Sequence, residues 1–101
     1  MTAYLIVRAE VEEASREIFD HWYETEHLPD ALRDFKALSA MRGWSDVEPG
    51  VHMAIYEFPD LAAADAASNS EEIKELIKVF DRHWDGRVTR KRDVFEIIQQ
   101  I

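Results

Sequence analysis

Between Phe19 and Pro29 the chain reads FDHWYETEHLP, a stretch that holds the residue types from which an active edge is built. His21 and His27 stand among Trp22, Tyr23, Glu24 and Glu26. Imidazole titrates near neutral pH, so a histidine here can serve as general base or hydrogen-bond donor. Zinc hydrolysis is the first chemistry to test, and the spacing rules it out. An HExxH helix sets two histidines four apart on one face, whereas His21 and His27 are six apart and point to different sides. Glu24 and His27 do have the Glu-x-x-His spacing of di-iron carboxylate helices. Such sites also need a second copy of that motif and two further glutamates from a four-helix bundle, which this chain lacks. The expectation is therefore no metal and no cofactor.

The remaining titratable groups with access to a pocket are His27, His52, His83, Tyr23, Tyr56, Arg8 and Arg42. His52 and Tyr56 lie in phase on one strand and so share a sheet face. They read either as a satisfied buried polar pair or as groups that stabilise oxyanion charge. Trp22 and Tyr23 read first as core aromatics and second as the walls of a ligand site. His83, at a helix end, interacts with the helix dipole. For His27 two readings stand level: a C-terminal cap on the last helical carbonyls, or a proton-transfer group at a pocket mouth. The basic run RVTRKRD (87–93) reads as a solvated edge strand that resists aggregation, ahead of a site for an anion. No Gly-rich phosphate loop, GxSxG or CxxC is present, so nucleotide binding and serine or cysteine catalysis have no local support.

The elements that must position these groups follow from periodicity. AYLIVRAEV (3–11) is a strand apolar on both faces. Val11, Ala14, Ile18, Phe19, Trp22 and Tyr23 then recur at helical spacing, and Pro29 is expected to stop or kink this helix near His27. PDALRDF restarts a short helix. LSAMRGWSDV (38–47) and VHMAIYEF (51–58) read as strands around the turn EPG at 48–50. PDLAAADAA (59–67) opens a helix, and SNSE (68–71) has capping-box spacing for another. That second helix carries Ile73, Leu76, Ile77, Phe80 and Trp84 on one stripe and ends at Asp85-Gly86. RVTRKRDVFEII (87–98) closes the chain as a charged edge strand.

The order β-α-β-β-α-β predicts an α+β, ferredoxin-like domain over residues 1–101, with two helices on one face of an antiparallel sheet. The first and third strands should be central. Their second apolar face then lacks a cover. Tyr4 and Ile6 alternate with Leu5 and Val7, and Met53 and Ile55 with Ala54, Tyr56 and Phe58. The simplest cover is a second copy packed sheet to sheet, a homodimer.

With 21 acidic against 12 basic residues, the net charge of -9 repels phosphate backbones and anionic lipid, so neither nucleic acid nor a membrane surface is an expected partner. The absence of cysteine excludes disulfides and fits a reducing cytoplasm. The first apolar run stops at Arg8, too short for a signal peptide or a membrane span.

FDHWYETEHLPDAL, then FKALSAMRGWSD, then HMAIYEF, resembles the EthD-like branch of the dimeric α/β-barrel superfamily. Trp22, Tyr23, Glu26, His27 and Pro29, with Arg42 on the second strand and Tyr56-Glu57 on the third, carry the likeness, which runs over almost the whole chain. The resemblance implies two ferredoxin-like protomers whose sheets pack face to face into a barrel, each with a small cavity between helices and sheet. Only the histidine of the His-x-Pro motif carries over from it, onto His27. On this reading the chain takes a small apolar or aromatic ligand without a cofactor. His27 and Tyr56 would be the catalytic pair, with Trp22, Tyr23, Arg42 and His52 around the substrate. Isomerase, cyclase or lyase chemistry suits, since each needs mainly proton transfer. The alternatives are a non-catalytic binding or accessory dimer, and a purely structural dimer in which His27 is a cap.

Overall fold

Strand β1 (Ala3–Val11) runs through the middle of a four-stranded antiparallel sheet in the computed structural model, which describes residues 1–101. Its neighbours are β3 (Val51–Phe58) and β4 (Val88–Glu96), and β2 (Ser39–Trp44) pairs with the outer edge of β3. The sheet order β2-β3-β1-β4 is that of the ferredoxin-like α+β fold, with the two most apolar strands central. The edge strands are shorter than periodicity suggested: 39–44 against 38–47, and 88–96 against 87–98. At their expected ends only single backbone bonds persist, from the Leu38 N–H to Glu57, the Ser45 N–H to Val51 and the Ile97 N–H to Thr2.

Helices cover one face only. The first crossover holds α1 (Arg16–Trp22), a wide turn at Tyr23–His27, and α2 (Leu28–Phe35). The second holds α3 (Leu61–Ser68) and α4 (Glu71–Trp84). Asp60 caps α3 by accepting from the Ala63 N–H at 2.8 Å. Alanines at 64 and 67, both buried, let that helix lie close to the sheet. The cap of α4 is Ser70, whose hydroxyl accepts from the Ile73 N–H, not Ser68 as the capping-box spacing implied. The stripe Ile73, Leu76, Phe80 and Trp84 is buried as its period requires. Gly86, at φ +80, supplies the left-handed residue that ends the helix.

The register assigns each strand residue to a face. Leu5 pairs with Tyr56, Val7 with Ala54 and Ala9 with His52, all beneath the helices. The opposite face carries Tyr4, Ile6, Met41, Met53, Ile55 and Phe95, and no element of the chain covers it. Ile6 therefore points outward and Ala54 inward.

The principal departure from expectation is at Pro29. The helix neither stops nor restarts there. Instead one turn widens, with the Leu28 N–H donating to the Tyr23 carbonyl five residues back. A proline ring collides with the carbonyl four residues before it in a regular helix, and a wider turn relaxes that contact. Only at Lys36, in the left-handed region at φ 55, does the helix end.

Candidate functional site

The widened turn brings His27 onto the aromatic wall. In a regular helix residues five apart sit roughly 140° apart and do not meet. Bonds from i to i+5 bring them into line, and the His27 ring stacks on Trp22 at 4.5 Å with an interplanar angle of 18°. Tyr23 meets the same ring edge-on at 4.8 Å, and Phe80 of α4 approaches from across the helix layer at 5.7 Å. His27 is 9% exposed and its side chain makes no capping hydrogen bond. Burial first, then the charge of Arg90, lowers its pKa to about 4, so at neutral pH the imidazole is uncharged.

One side of this ring looks into a cavity of about 60 Å³ between helices and sheet, lined by Val7, Tyr23, Tyr56, Arg90, Arg92 and apolar side chains of α4. Tyr23 and Tyr56 face each other there with hydroxyls 3.5 Å apart. That separation is long for an O–H···O bond, so both phenols retain capacity for a ligand oxygen. Burial pushes Tyr23 up to about 12 and Tyr56 well above its ordinary value, which leaves both protonated as donors. The other side of His27 borders a wetter groove of about 200 Å³ with Trp22, Glu26, Asp30, Asp34, Glu75 and His83. His27 is thus a partition between an apolar interior and an acidic surface.

Three of the residues expected around the substrate lie elsewhere. Trp22 lines the outer groove and backs the His27 ring. Arg42 is held by Asp20, with Nη1 donating to Oδ1 at 2.8 Å, and its charge is thereby satisfied away from the cavity. His52 lies behind Tyr23 at 4.5 Å between ring centroids and accepts from Arg42 at Nε2, at 3.3 Å. Because the guanidinium can only donate, the proton of His52 sits on Nδ1, a fully buried atom with no partner. Burial and then Arg42 lower the His52 pKa to about 4. The Asp20 carboxylate takes a further bond from the Trp44 indole N–H at 2.7 Å and is held below its usual range by Arg42 and then Trp44. This cluster braces the back of the site.

Arg90 and Arg92 are the lining residues that sequence reasoning missed. They pair in register with Ala9 and Val7, in phase with Val88 and Val94, so they lie on the helix-covered face of the sheet, with Arg92 exposed at its edge. The period-two phase of that basic run with its flanking valines was the available signal.

No three His, Asp or Glu side chains gather closely enough to hold a metal ion. Glu24 is exposed while His27 turns inward, which separates the one pair with ligand spacing. Elemental analysis of purified protein is expected to find no stoichiometric transition metal, and about one zinc or iron per chain would contradict this.

No family model and no curated protein matches the chain. Solved structures do. An ethyl tert-butyl ether degradation (EthD) family protein from Bacillus halodurans superposes with a TM-score of 0.74 at 19% identity, over 97% of this chain and 100% of that one. SnoaB, a cofactor-independent oxygenase from Streptomyces nogalater, gives 0.67 at 14% identity, over 99% and 96%. A Bacteroides thetaiotaomicron protein of unknown function, described as a possible oxidoreductase, gives 0.67 at 16%, over 95% and 97%. At these identities the likeness establishes a shared ferredoxin-like fold along almost the full length of each chain.

Proposed function

We propose that the protein is an EthD-like small-molecule-binding homodimer whose cavity beneath the helices is the ligand site, and that His27 moves a proton there without a cofactor. The observation that carries this reading is the buried His27 ring, with no capping bond to the main chain, beside the loosely paired Tyr23 and Tyr56 hydroxyls. A carbonyl or enolate oxygen between Tyr23 and Tyr56 would accept from both hydroxyls, while His27 removes or returns the proton on an adjacent carbon. Isomerisation, cyclisation or elimination on an apolar or aromatic metabolite needs no more than this. SnoaB, a cofactor-independent oxygenase of the same fold, supports chemistry without a bound cofactor on this scaffold. No helix of the chain is long and apolar enough to cross a membrane, and a reducing cytoplasm is the proposed setting.

A second reading, binding without turnover, is favoured by one fact. A histidine lowered to about 4 is a weak base at neutral pH.

His27→Gln tests both readings, because it keeps polarity and much of the volume while removing the titratable ring. Loss of the stacked imidazole is expected to cost about 1–2 kcal/mol of stability. In a thermal-shift screen of apolar and aromatic metabolites, ligands of the site should raise the Tm of the wild type and not of the variant. Conversion of such a ligand by the wild type alone supports catalysis, and turnover in the variant should fall about 10²–10⁴-fold. Ligands that stabilise both proteins equally contradict the site.

A further inference from the structure

The cavity has the opposite charge character to the chain that encloses it. Acidic residues outnumber basic ones by 21 to 12, yet the lining contains Arg90 and Arg92 and no carboxylate. Arg90 is held in place, its guanidinium lying 4.2 Å from the Phe80 ring centroid and one arm bonded to Asp81 at 3.1 Å. Arg92, two residues along the same edge strand and in register with Val7, forms no ion pair. Arg42, by contrast, is satisfied by Asp20. The remaining polar groups at the cavity are the Tyr23 and Tyr56 hydroxyls, which donate, and the His27 imidazole. The wall therefore offers donors and positive charge to an acceptor-rich occupant, against an apolar backing from α4.

We propose that this cavity takes a small, mainly apolar carboxylate, its anionic head at Arg92 and Arg90 and its apolar body against α4. The inference rests on the ligand-site reading given above and names the substrate class for it. The size of the cavity sets the pose. About 60 Å³ is smaller than the roughly 150 Å³ that encloses a benzene ring, so an aromatic body enters only as α4 and β4 part slightly. The exposed Arg92 stands on the strand that would form that opening. A carboxylate held there would be fixed by a two-pronged guanidinium contact, a geometry that a lysine or an amide does not reproduce.

The probes that test this are benzoate and its neutral isostere benzamide, titrated by calorimetry or ligand-observed NMR into the intact protein and into Arg92→Gln. Benzoate is expected to bind the wild type about tenfold or more tightly than benzamide, as a charge-assisted pair would give. In Arg92→Gln the preference should shrink toward unity, chiefly through weaker binding of benzoate. Equal binding of the two probes by the wild type, or a preference that survives in the variant, overturns the carboxylate assignment and leaves the ligand site standing. Failure of both probes to bind, with the protein folded, overturns the assignment together with the site.

Discussion

Ile6→Asp is expected to split the proposed dimer into a monomer that melts at a far lower temperature, or does not accumulate folded at all. Ile6 lies on the central strand and points away from the helices, opposite Ile55 on one side and Asp93 on the other. Around it, Tyr4, Met41, Met53 and Phe95 complete an apolar surface that no element of the chain covers. A monomer rarely carries a patch of that kind, and a specific sheet-to-sheet interface would bury about 1,600 Å² in total. A carboxylate placed at its centre loses several kcal/mol of solvation and meets the like charge of Asp93 directly across the strand pair. Because folding and association are coupled in such dimers, the melting temperature of the wild type should fall on dilution, and that of a monomeric variant should not change. Ile18→Asp is the matched control, since Ile18 is 63% exposed on α1 and away from the open face. Native mass spectrometry and thermal melts at micromolar concentration decide the matter. An Ile6→Asp protein that remains dimeric with an unchanged melt contradicts a dimer through the open face.

The second large effect is acid lability in a window set by two histidines. His27 and His52 are both lowered to about 4 in the folded chain, against an ordinary value of 6.5. Between those values the unfolded chain binds protons that the folded chain refuses, so stability rises with pH. The contribution is complete above 6.5 and is lost as the pH falls from 6.5 through 4. At about 1.4 kcal/mol per unit, each ring forfeits on the order of 2 kcal/mol by pH 5. Asp20, whose value is depressed from 3.8, weakens the fold only once the pH falls below that value, so it does not enter this window. Urea unfolding midpoints from pH 7.5 to 4.5 should therefore fall steeply for the wild type. His27→Gln and His52→Gln should each remove about half of the slope. A flat profile between 6.5 and 4.5 in the wild type contradicts the buried neutral rings.

How far such conclusions were legible in the sequence depends on the range over which each was decided. The strand order followed from local pattern, because the two-sided apolar runs at 3–11 and 51–58 suit only central strands. The α4 stripe was equally local. The turn at Tyr23–His27 was not. A rule that reads Pro29 against its immediate neighbours predicts a break, whereas the packing of Trp22 and His27 against Phe80 rewards a continuous helix with one widened turn. Arg42 illustrates the same limit. Its type suggested a place around the substrate, but Asp20, 22 residues earlier, occupies it. Nothing local to either residue announces that pairing. Arg90 and Arg92 lay within reach of sequence reasoning through their phase with Val88 and Val94, and the charge of the run as a whole obscured it.

The central claim is that a ligand enters between Tyr23, Tyr56 and His27 in a protein that pairs through its open sheet face. A crystal structure of the full chain, soaked with a set of small aromatic carboxylates, tests this most directly. The account predicts ligand density bounded by those three side chains in each protomer, with the head group toward Arg92 and the two sheets facing each other across Ile6 and Ile55. Cavities that hold only water, with ligands bound elsewhere and the two open faces apart, would contradict it.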